Sequence, residues 1–263
     1  MKYILCTCLL VASQMFAGIK DLENAKNLQI LLSHPRTGTN WTLAGLQVLT
    51  NRRLAALLHY KPNEHMMRTA NKVNVTLNRN KPYLFCTHKI GLNRVNPEHN
   101  QLFLIIRNPI ETIIRMFKLN KDGSFNERAF HRCHRRAIKR YLKVIQTLES
   151  WPEKNRYHFY YEDLLNNPRE TFGGLINFLG EPDDNMDHFI DNIQMYSQRS
   201  LEKYHKKWSK QRGQKGGSIS KGKDLHCHSK SVPKEVIAIL KAEIPRLAGP
   251  EIMEKYLKRY FEE

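Results

Sequence analysis

The sequence predicts a single-domain α/β fold in which a central parallel β-sheet is flanked by helices. Three short apolar runs, at residues 29–33, 83–87 and 102–106, each end at a polar loop. Buried parallel strands have this composition, because helices cover both faces of the sheet. Segments with helical spacing alternate with these runs, as in folds built from β-α-β units. The chain has 263 residues and no linker before residue 200, which indicates one sizeable domain.

The expected elements follow from local patterns, taken along the chain. After the first strand, a helix is expected beyond Asn40, in an amphipathic segment over residues 43–58. Its apolar positions are Leu43, Leu46, Leu49 and Leu54, and its charged positions are Arg52 and Arg53. Pro109 is expected in the first turn of a helix over residues 110–118. The remaining predictions are a basic helix over 127–149, a strand over 157–160, and helices over 168–179, 233–247 and 250–260.

The net charge of the chain is +18, which favours anionic partners. Nucleotides, sulfated or phosphorylated glycans, nucleic acid and acidic lipid all fit this charge, and a solvated basic surface without a specific partner is the alternative. With 41% hydrophobic and 26% charged residues, the composition is that of a globular protein, which argues against a disordered chain or a membrane bundle.

The five cysteines do not form the pattern of a disulfide scaffold. Cys6 and Cys8 lie in the apolar N-terminus, which leaves Cys86, Cys133 and Cys227. Cys227 stands between two histidines, but no further ligands follow at a usable spacing, so we expect no metal site.

Residues 1–17 have the layout of a secretory signal: one lysine, an apolar stretch, then small and polar residues. A non-cleaved anchor or an ordinary N-terminal segment is the alternative. The expected organisation is therefore a leader over residues 1–17 and one domain over 18–263. A functional leader would direct the protein to the secretory pathway or out of the cell, and otherwise the protein would be cytoplasmic.

A phosphate-binding loop is expected at residues 35–41, between the first strand and the first helix. Ligands of open α/β sheets bind beyond the carboxyl ends of strands, where a helix N-terminus offers free N–H groups. Gly38 permits close approach of an anion, Thr37 and Thr39 offer hydroxyl groups, and Arg36 adds charge. It is not a Walker loop, because no lysine follows the glycine. A glycine turn without a ligand is the alternative.

Two further loops follow strands and complete a resemblance. They read Arg107-Asn108-Pro109-Ile110-Glu111 and Tyr161-Glu162-Asp163-Leu164. With the 35–41 loop, they resemble the sulfotransferases that use 3'-phosphoadenosine-5'-phosphosulfate (PAPS) as sulfuryl donor. The resemblance covers about residues 30–180, with a weaker match at 211–217. It implies a P-loop NTPase-like sulfotransferase fold and transfer of a sulfuryl group from PAPS to a hydroxyl or amine.

The resemblance also implies how PAPS is bound. Residues from Thr37 to Asn40 would cradle the 5'-phosphosulfate, and Trp41 and Tyr161 would lie near the adenine. Arg107 would bind the 3'-phosphate, helped by Arg115, which replaces the serine of the family motif. The Lys-, Gly- and Ser-rich stretch over 203–230 would be a mobile lid, or else a solvated loop. Within it, Arg212 and Gly213 match the family's lid segment, although Gln211 replaces a cation.

His88 resembles the general base of the family, because it follows a strand in the sequence Cys86-Thr87-His88. A neutral imidazole accepts a proton at neutral pH. Cys86 replaces a lysine of the family pattern, which shifts stabilisation of the leaving phosphate onto Arg36, with Lys89 as a possible substitute. Arg36 can stabilise charge but cannot donate a proton, since a guanidinium stays protonated. No metal is needed for this chemistry.

Two alternatives remain at this point. The chain could be a non-catalytic protein of the same fold that binds a nucleotide or an acidic polymer, as the departures at Arg36, Cys86, Arg115 and Gln211 allow. Specific nucleic-acid binding has only the net charge in its favour. The acceptor, whether glycan, protein or small molecule, cannot be read from the loops expected to line its pocket, at residues 59–80, 120–128 and 184–204. Oligomeric state cannot be read either, and no transmembrane span is expected beyond the leader.

Overall fold

A five-stranded, all-parallel sheet forms the centre of the computed structural model, with strand order β2-β3-β1-β4-β5. The structure describes residues 24–56, 78, 80–88, 92–117, 124–193 and 232–262. The strands are β1 (Gln29–Ser33), β2 (Leu54–Ala56), β3 (Leu84–Thr87), β4 (Gln101–Ile106) and β5 (Arg156–Tyr160). The helices are α1 (Thr39–Thr50), α2 (Pro109–Ile114), α3 (Glu127–Glu149), α4 (Tyr161–Asn166), α5 (Pro168–Phe178), α6 (Met186–Asp191), α7 (Lys234–Ala248) and α8 (Pro250–Ile252). The predicted α/β fold with a parallel sheet is confirmed.

Helices cover both faces of the sheet, as the uninterrupted apolar strands predict. In β4, Leu102, Leu104 and Ile106 belong to the core that packs against α2, α3 and α7. Phe103 and Ile105 alternate with them and belong to the core that packs against α1, α4, α5 and α6. Because successive side chains of a strand point to opposite faces, a strand buried on both sides must be apolar at every position.

The register brings the carboxyl ends of four neighbouring strands to one edge of the sheet. Ser33 of β1 pairs with Ile105, Leu32 pairs with Thr87, and Ile106 pairs with Tyr160. The chain segments that leave β1, β3, β4 and β5 therefore emerge side by side. These are the segments that the sequence marked as loops with polar and charged residues.

The first helix is shorter than expected. It ends at Thr50, where Asn51 adopts a left-handed conformation with φ of 55°, and Leu54 lies in the edge strand β2. The assignment of Leu54 to the helix was therefore wrong. The position of Leu54 fitted the helical spacing, but its backbone pairs with Leu84 of β3.

Arg52, which we expected on the surface of that helix, is buried with 2% of its side chain exposed. Its guanidinium donates hydrogen bonds to the carbonyl oxygens of Pro82 and Tyr83 at 2.8 and 3.2 Å and to the side chain of Gln29. It also forms an ion pair with Glu181 at 3.2 Å. Arg52 thus ties β1, the chain before β3 and the segment after α5 together at the amino edge of the sheet, opposite the polar loops.

We expect Arg52→Ala to lower the free energy of unfolding by about 3–5 kcal/mol, because it leaves the carboxylate and two carbonyl groups without their buried donor. Denaturant titration measures the change. Lys81→Ala is the matched control, since Lys81 contacts the same carboxylate but keeps 33% of its side chain exposed. We expect it to cost under about 1 kcal/mol. Equal losses in the two variants would contradict the structural role of Arg52.

The helices expected over 127–149, 168–179 and 233–247 are confirmed apart from their ends. The helices α4 and α6 were not expected, because they lie in segments that the sequence indicated as loops. The helix expected over 110–118 spans Pro109–Ile114, and the last expected helix divides into α8, a π-helical turn at Met253–Leu257 and a 3-10 turn at Lys258–Tyr260. Among the residues that the structure describes, no helix is long and apolar enough to cross a membrane. The expected leader at residues 1–17 and the basic loop at 203–230 lie outside the described residues.

Candidate active site

The predicted site residues that the structure describes lie along the carboxyl edge of the sheet. The 35–41 loop follows β1, His88 follows β3, Arg107 follows β4, and Tyr161 follows β5. His88, Arg107 and Tyr161 directly follow the last residues of their strands, and the loop begins two positions after Ser33, so the sheet itself sets the spacing between them. Arg115 is brought to the same edge by α2.

The 35–41 loop turns sharply into the amino end of α1. Gly38 has φ of 96° and Arg36 has φ of 79°, both in the left-handed region. Gly38 is the N-cap residue of α1, no side chain caps the helix, and no acidic residue lies in its first turn. The amino end of this 12-residue helix therefore presents backbone N–H groups and the positive end of the helix dipole. The side chain of Arg36 is exposed beside it.

The two threonine hydroxyl groups of this loop hold the loop itself. The Thr37 hydroxyl donates to the carbonyl oxygen of His34 at 2.7 Å, and the Thr39 hydroxyl donates to Oγ of Ser33 at 2.9 Å. Both residues are buried. We expected these hydroxyls to donate to an anion, but in the structure their protons are directed inward. The groups left to meet an anion are the backbone N–H groups and Arg36.

Gly38 is required by the ring of Tyr161. A Cβ atom at residue 38 would lie 2.3 Å from Cδ2 of Tyr161, which is far closer than two carbon atoms can approach. The same ring also contacts the guanidinium of Arg107, whose Cζ lies 4.2 Å from the ring centroid. Tyr161 therefore packs against both the 35–41 loop and Arg107, and it fixes their separation.

Arg107 and Arg115 converge on one carboxylate. Glu111 accepts a hydrogen bond from Nη2 of Arg107 at 2.9 Å and lies 3.5 Å from Nη2 of Arg115. Only 7% and 13% of the two arginine side chains are exposed, against 51% of Glu111. Burial, reinforced by the charge of Arg107, lowers the pKa of Arg115 to about 10, so Arg115 remains cationic at neutral pH. Nε of Arg107 is buried without a hydrogen-bond partner.

His88 is exposed, and Ser33 fixes its orientation. Nδ1 of His88 lies 2.9 Å from the carbonyl oxygen of Ser33 and 3.0 Å from its hydroxyl. Because a carbonyl oxygen can only accept, we assign the proton of the neutral ring to Nδ1, which leaves Nε2 with a free lone pair. The sequence reasoning missed Ser33. Its position at the end of β1, one residue beyond the pairing of Leu32 with Thr87, could have indicated it.

His34, which the sequence reasoning also missed, is buried beneath the 35–41 loop and contacts its backbone. Its Nδ1 donates to the carbonyl oxygen of Pro35 at 2.9 Å, and burial lowers its pKa to about 4, so the ring is neutral. The ring contacts that of Tyr141 on α3, with centroids 5.4 Å apart. The Tyr141 hydroxyl donates to the carbonyl oxygen of Arg107 at 2.6 Å. The pair therefore connects the 35–41 loop to Arg107.

The residues that follow Tyr161 anchor the Arg107 segment from the other side. Glu162 accepts the backbone N–H of Asn108 at 3.0 Å and the hydroxyl of Tyr260 at 2.7 Å. Arg259 donates two hydrogen bonds to Asp163, at 2.7 and 2.8 Å. The C-terminal turn is thus joined to the start of α4 and, through Glu162, to the backbone beside Arg107.

Some predicted site residues take less part in this arrangement. Asn40 is exposed, and the ring of Trp41 lies edge-on to those of Tyr161 and Phe172, with centroids 6.4 and 5.8 Å away. Burial raises the pKa of Cys86 to about 11, so it carries no charge in place of the family lysine. Lys89, Arg212 and Gly213 lie outside the described residues. Within the described part of the chain, no group of three or more His, Cys, Asp or Glu residues could hold a metal ion.

Several known structures share the fold of this chain. A mouse sulfotransferase, SULT7A1, solved in complex with PAP, has 15% sequence identity and a TM-score of 0.56, covering 92% of this chain and 93% of its own. A retinol dehydratase solved with androsterone and the inactive cofactor PAP has 14% identity and a TM-score of 0.58, covering 86% and 82%. The same enzyme solved with retinol and PAP has 13% identity and a TM-score of 0.57. These likenesses establish the fold.

At the level of sequence, no curated protein matches the chain significantly. The family model for the sulfotransferase domain, in contrast, matches residues 27–230, which are most of the chain. This range includes β1 to β5 and every residue placed at the carboxyl edge above. The chain belongs to the sulfotransferase family.

Proposed function

We propose that this sulfotransferase uses PAPS as its donor and transfers the sulfuryl group to a hydroxyl or amine of its acceptor. The observation that carries the proposal is the convergence of two nearly buried arginines, Arg107 and Arg115, beside an uncapped helix N-terminus. These groups would provide two anion sites at one sheet edge, as a nucleotide with a 3'-phosphate and a 5'-phosphosulfate requires. PAP in the neighbouring structures supports this choice.

The 5'-phosphosulfate is assigned to the amino end of α1. Backbone N–H groups of residues 38–40 would donate to its oxygens, because Gly38 leaves the backbone open and the threonine hydroxyls are already used. Thr37 would help to shape this loop, since its own N–H already donates to the carbonyl oxygen of His34 at 3.3 Å. Arg36 would contribute its charge from the exposed side of the loop. Trp41 and Tyr161, whose rings meet edge to face, would lie on the side of the adenine.

The 3'-phosphate is assigned to Arg107 and Arg115. In the structure, the partly exposed carboxylate of Glu111 neutralises both cations. A phosphate has more charge and more acceptor oxygens than a carboxylate, so it can displace Glu111 towards solvent. The unpartnered Nε of Arg107 marks donor capacity that Glu111 does not use. Arg212 and Gly213 are proposed as a further contact from the lid.

Transfer itself would proceed with His88 as general base. Nε2 removes the proton from the acceptor hydroxyl while the acceptor oxygen bonds to sulfur. The bond between sulfur and the 5'-phosphate oxygen breaks, and PAP and a sulfate ester are formed. Arg36 stabilises the negative charge that builds up on the leaving oxygen, but it does not protonate that oxygen. The imidazolium then releases the proton to solvent. This route requires no metal.

The alternative is a protein of this fold that binds a nucleotide or an acidic polymer without turnover. The uncharged Cys86 favours it, because the family lysine that supports the leaving group is missing. The orientation of His88 by Ser33 favours catalysis instead, since a binding protein has no need of a histidine with Nε2 free.

The donor assignment is tested by thermal stability and calorimetry of the full chain with PAP and with ADP. We expect PAP to bind at least about tenfold more tightly, because one additional charged pair contributes roughly 1.4 kcal/mol or more in a partly buried site. The melting temperature should rise with PAP concentration accordingly. Equal responses to the two nucleotides would overturn the 3'-phosphate site. Consumption of PAPS with a panel of hydroxylated acceptors separates the enzyme from the binding protein.

A further inference from the structure

The exposed face of α3 carries a row of cations. Seven lysine and arginine residues and only two glutamates belong to this 23-residue helix. Six of the cations are exposed and lack an ion-pair partner among the described residues, whereas Arg135 pairs with Glu243 at 2.9 Å. The six are Arg128, Arg132, Arg136, Lys139, Arg140 and Lys143. We call this set the α3 cationic face.

The six residues lie on one side of the helix. At 3.6 residues per turn, they occupy a sector about 120° wide and extend for about 22 Å. Phe130, Ala137, Ile138 and Tyr141 lie outside this sector and are buried in the core. Ordinary solvated helix surfaces mix both signs of charge, so six cations without an ion-pair partner among the described residues create a strong positive potential.

The position of α3 directs this potential to the active-site edge. Its C-terminal end lies at the amino edge of the sheet, where Arg156, the first residue of β5, donates to the carbonyl oxygen of Glu149 at 2.7 Å. Tyr141 lies at the carboxyl edge, because its hydroxyl contacts the backbone of Arg107. The preceding residues of α3 therefore project beyond that edge for about 20 Å, at a rise of 1.5 Å per residue.

Arg140 marks where the cationic face passes the site. It is adjacent to Tyr141, and its charge helps burial to lower the pKa of His34, the residue that precedes the 35–41 loop. Arg140 is therefore within electrostatic reach of the ring below the donor loop, and the cationic face continues outward from there.

We propose that the α3 cationic face binds the acceptor, and that the acceptor is an acidic polysaccharide. The inference rests on the proposed sulfuryl transfer, which requires a hydroxyl group at His88. A polymer bound along about 22 Å of evenly spaced cations must carry several negative charges. The acceptor therefore needs hydroxyl groups for transfer and a series of negative charges for binding. Polysaccharides that contain uronic acid meet both requirements, since they offer many hydroxyl groups and a regular series of carboxylates. Arginine, four of the six cations, suits bidentate contact with carboxylate and sulfate groups.

The experiment uses the full chain and oligosaccharides of heparosan, an unsulfated polysaccharide that contains uronic acid. One variant combines Arg132→Gln, Arg136→Gln and Arg140→Gln. The control variant combines Arg94→Gln, Lys154→Gln and Lys234→Gln, which removes the same charge from exposed positions on other elements. Glutamine preserves helix propensity, so the helix should be retained. The affinity of each protein for heparosan is measured at several salt concentrations. Dextran serves as a polysaccharide without charge, and duplex DNA serves as a polyanion whose repeating units offer no free sugar hydroxyl as acceptor.

We expect the α3 variant to bind heparosan about tenfold more weakly or worse, with a shallower salt dependence, and the control variant to stay within about threefold. With PAPS present, KM for heparosan should rise in the α3 variant while kcat is retained. Equal losses in both variants, binding of dextran as strong as that of heparosan, or tighter binding of DNA would each overturn the proposal. Failure of the proposed function would give a different result, because the wild type would then not bind PAP or would not transfer a sulfuryl group. The heparosan affinities of the two variants would still test whether the α3 cationic face binds an acidic polysaccharide.

Discussion

Replacement of His88 by alanine is expected to lower kcat for sulfuryl transfer by about 10²–10⁴-fold, the usual contribution of a positioned general base. Affinity for PAP should change little, because His88 follows β3, whereas Arg107 and Arg115 follow β4. The reason lies in the hydrogen bond from Nδ1 to the Ser33 carbonyl, which turns Nε2 outward in an exposed position. Steady-state kinetics with PAPS and an accepted hydroxyl compound measure the rate.

Two further measurements separate loss of the base from a local disturbance. Added imidazole should restore part of the activity of His88→Ala, since it supplies a proton acceptor without the side chain. Ser33→Ala removes one of the two acceptors of the Nδ1 contact and the acceptor of Thr39, so we expect a smaller loss of kcat with KM for PAPS raised. A wild-type rate in His88→Ala would exclude His88 as the base.

Replacement of Arg107 by alanine is expected to weaken the binding of PAP by about 2–5 kcal/mol and that of ADP much less, because the truncation leaves the 3'-phosphate without its buried partner. Only 7% of the Arg107 side chain is exposed to solvent, and the ring of Tyr161 covers its guanidinium. Selectivity for PAP over ADP should therefore disappear. Calorimetric titration of the two nucleotides against both proteins measures the difference.

The neighbours of Arg107 provide matched controls. Arg107→Lys keeps the charge but cannot form the bidentate hydrogen bonds of a guanidinium, so we expect an affinity for PAP between those of the wild type and Arg107→Ala. Glu111→Gln removes the carboxylate that occupies both arginines, and PAP should bind at least as tightly as to the wild type. If Glu111→Gln weakened PAP as much as Arg107→Ala, the carboxylate would be part of the site and not a competitor for it.

The fold and the outline of the site could be predicted because both depend on short-range patterns. A continuous apolar run that ends at a polar loop, such as Gln29–Ser33, predicts a buried strand, and the polar residues after such strands must lie at one edge if the sheet is parallel. Leu54 shows the limit of this reasoning. Its spacing from Leu43 fits a helix, yet Thr50 ends α1 and the backbone of Leu54 pairs with β3. Short apolar stretches fit either period, and the partner strand decides between them.

The support of the site could not be predicted for a similar reason. Tyr141 reaches the backbone of Arg107 from a helix 34 positions later, and Tyr260 reaches Glu162 from 98 positions later. Such contacts join residues whose local sequence carries no sign of a partner. The inward direction of the Thr37 and Thr39 hydroxyls is a further example, because the burial of Ser33 and His34 below the loop determines it.

By itself, the sequence determined four of the five described strands, the loop with Gly38, the cations at positions 36, 107 and 115, and the charge of α3, since these are properties of neighbouring residues. Only the tertiary structure decided that Arg52 is a buried tie, that Ser33 orients His88, and that Glu111 lies between two arginines. The physical reason is that burial and hydrogen-bond partners come from segments distant in the chain. A side chain acquires its role when the packed sheet and helices fix what surrounds it.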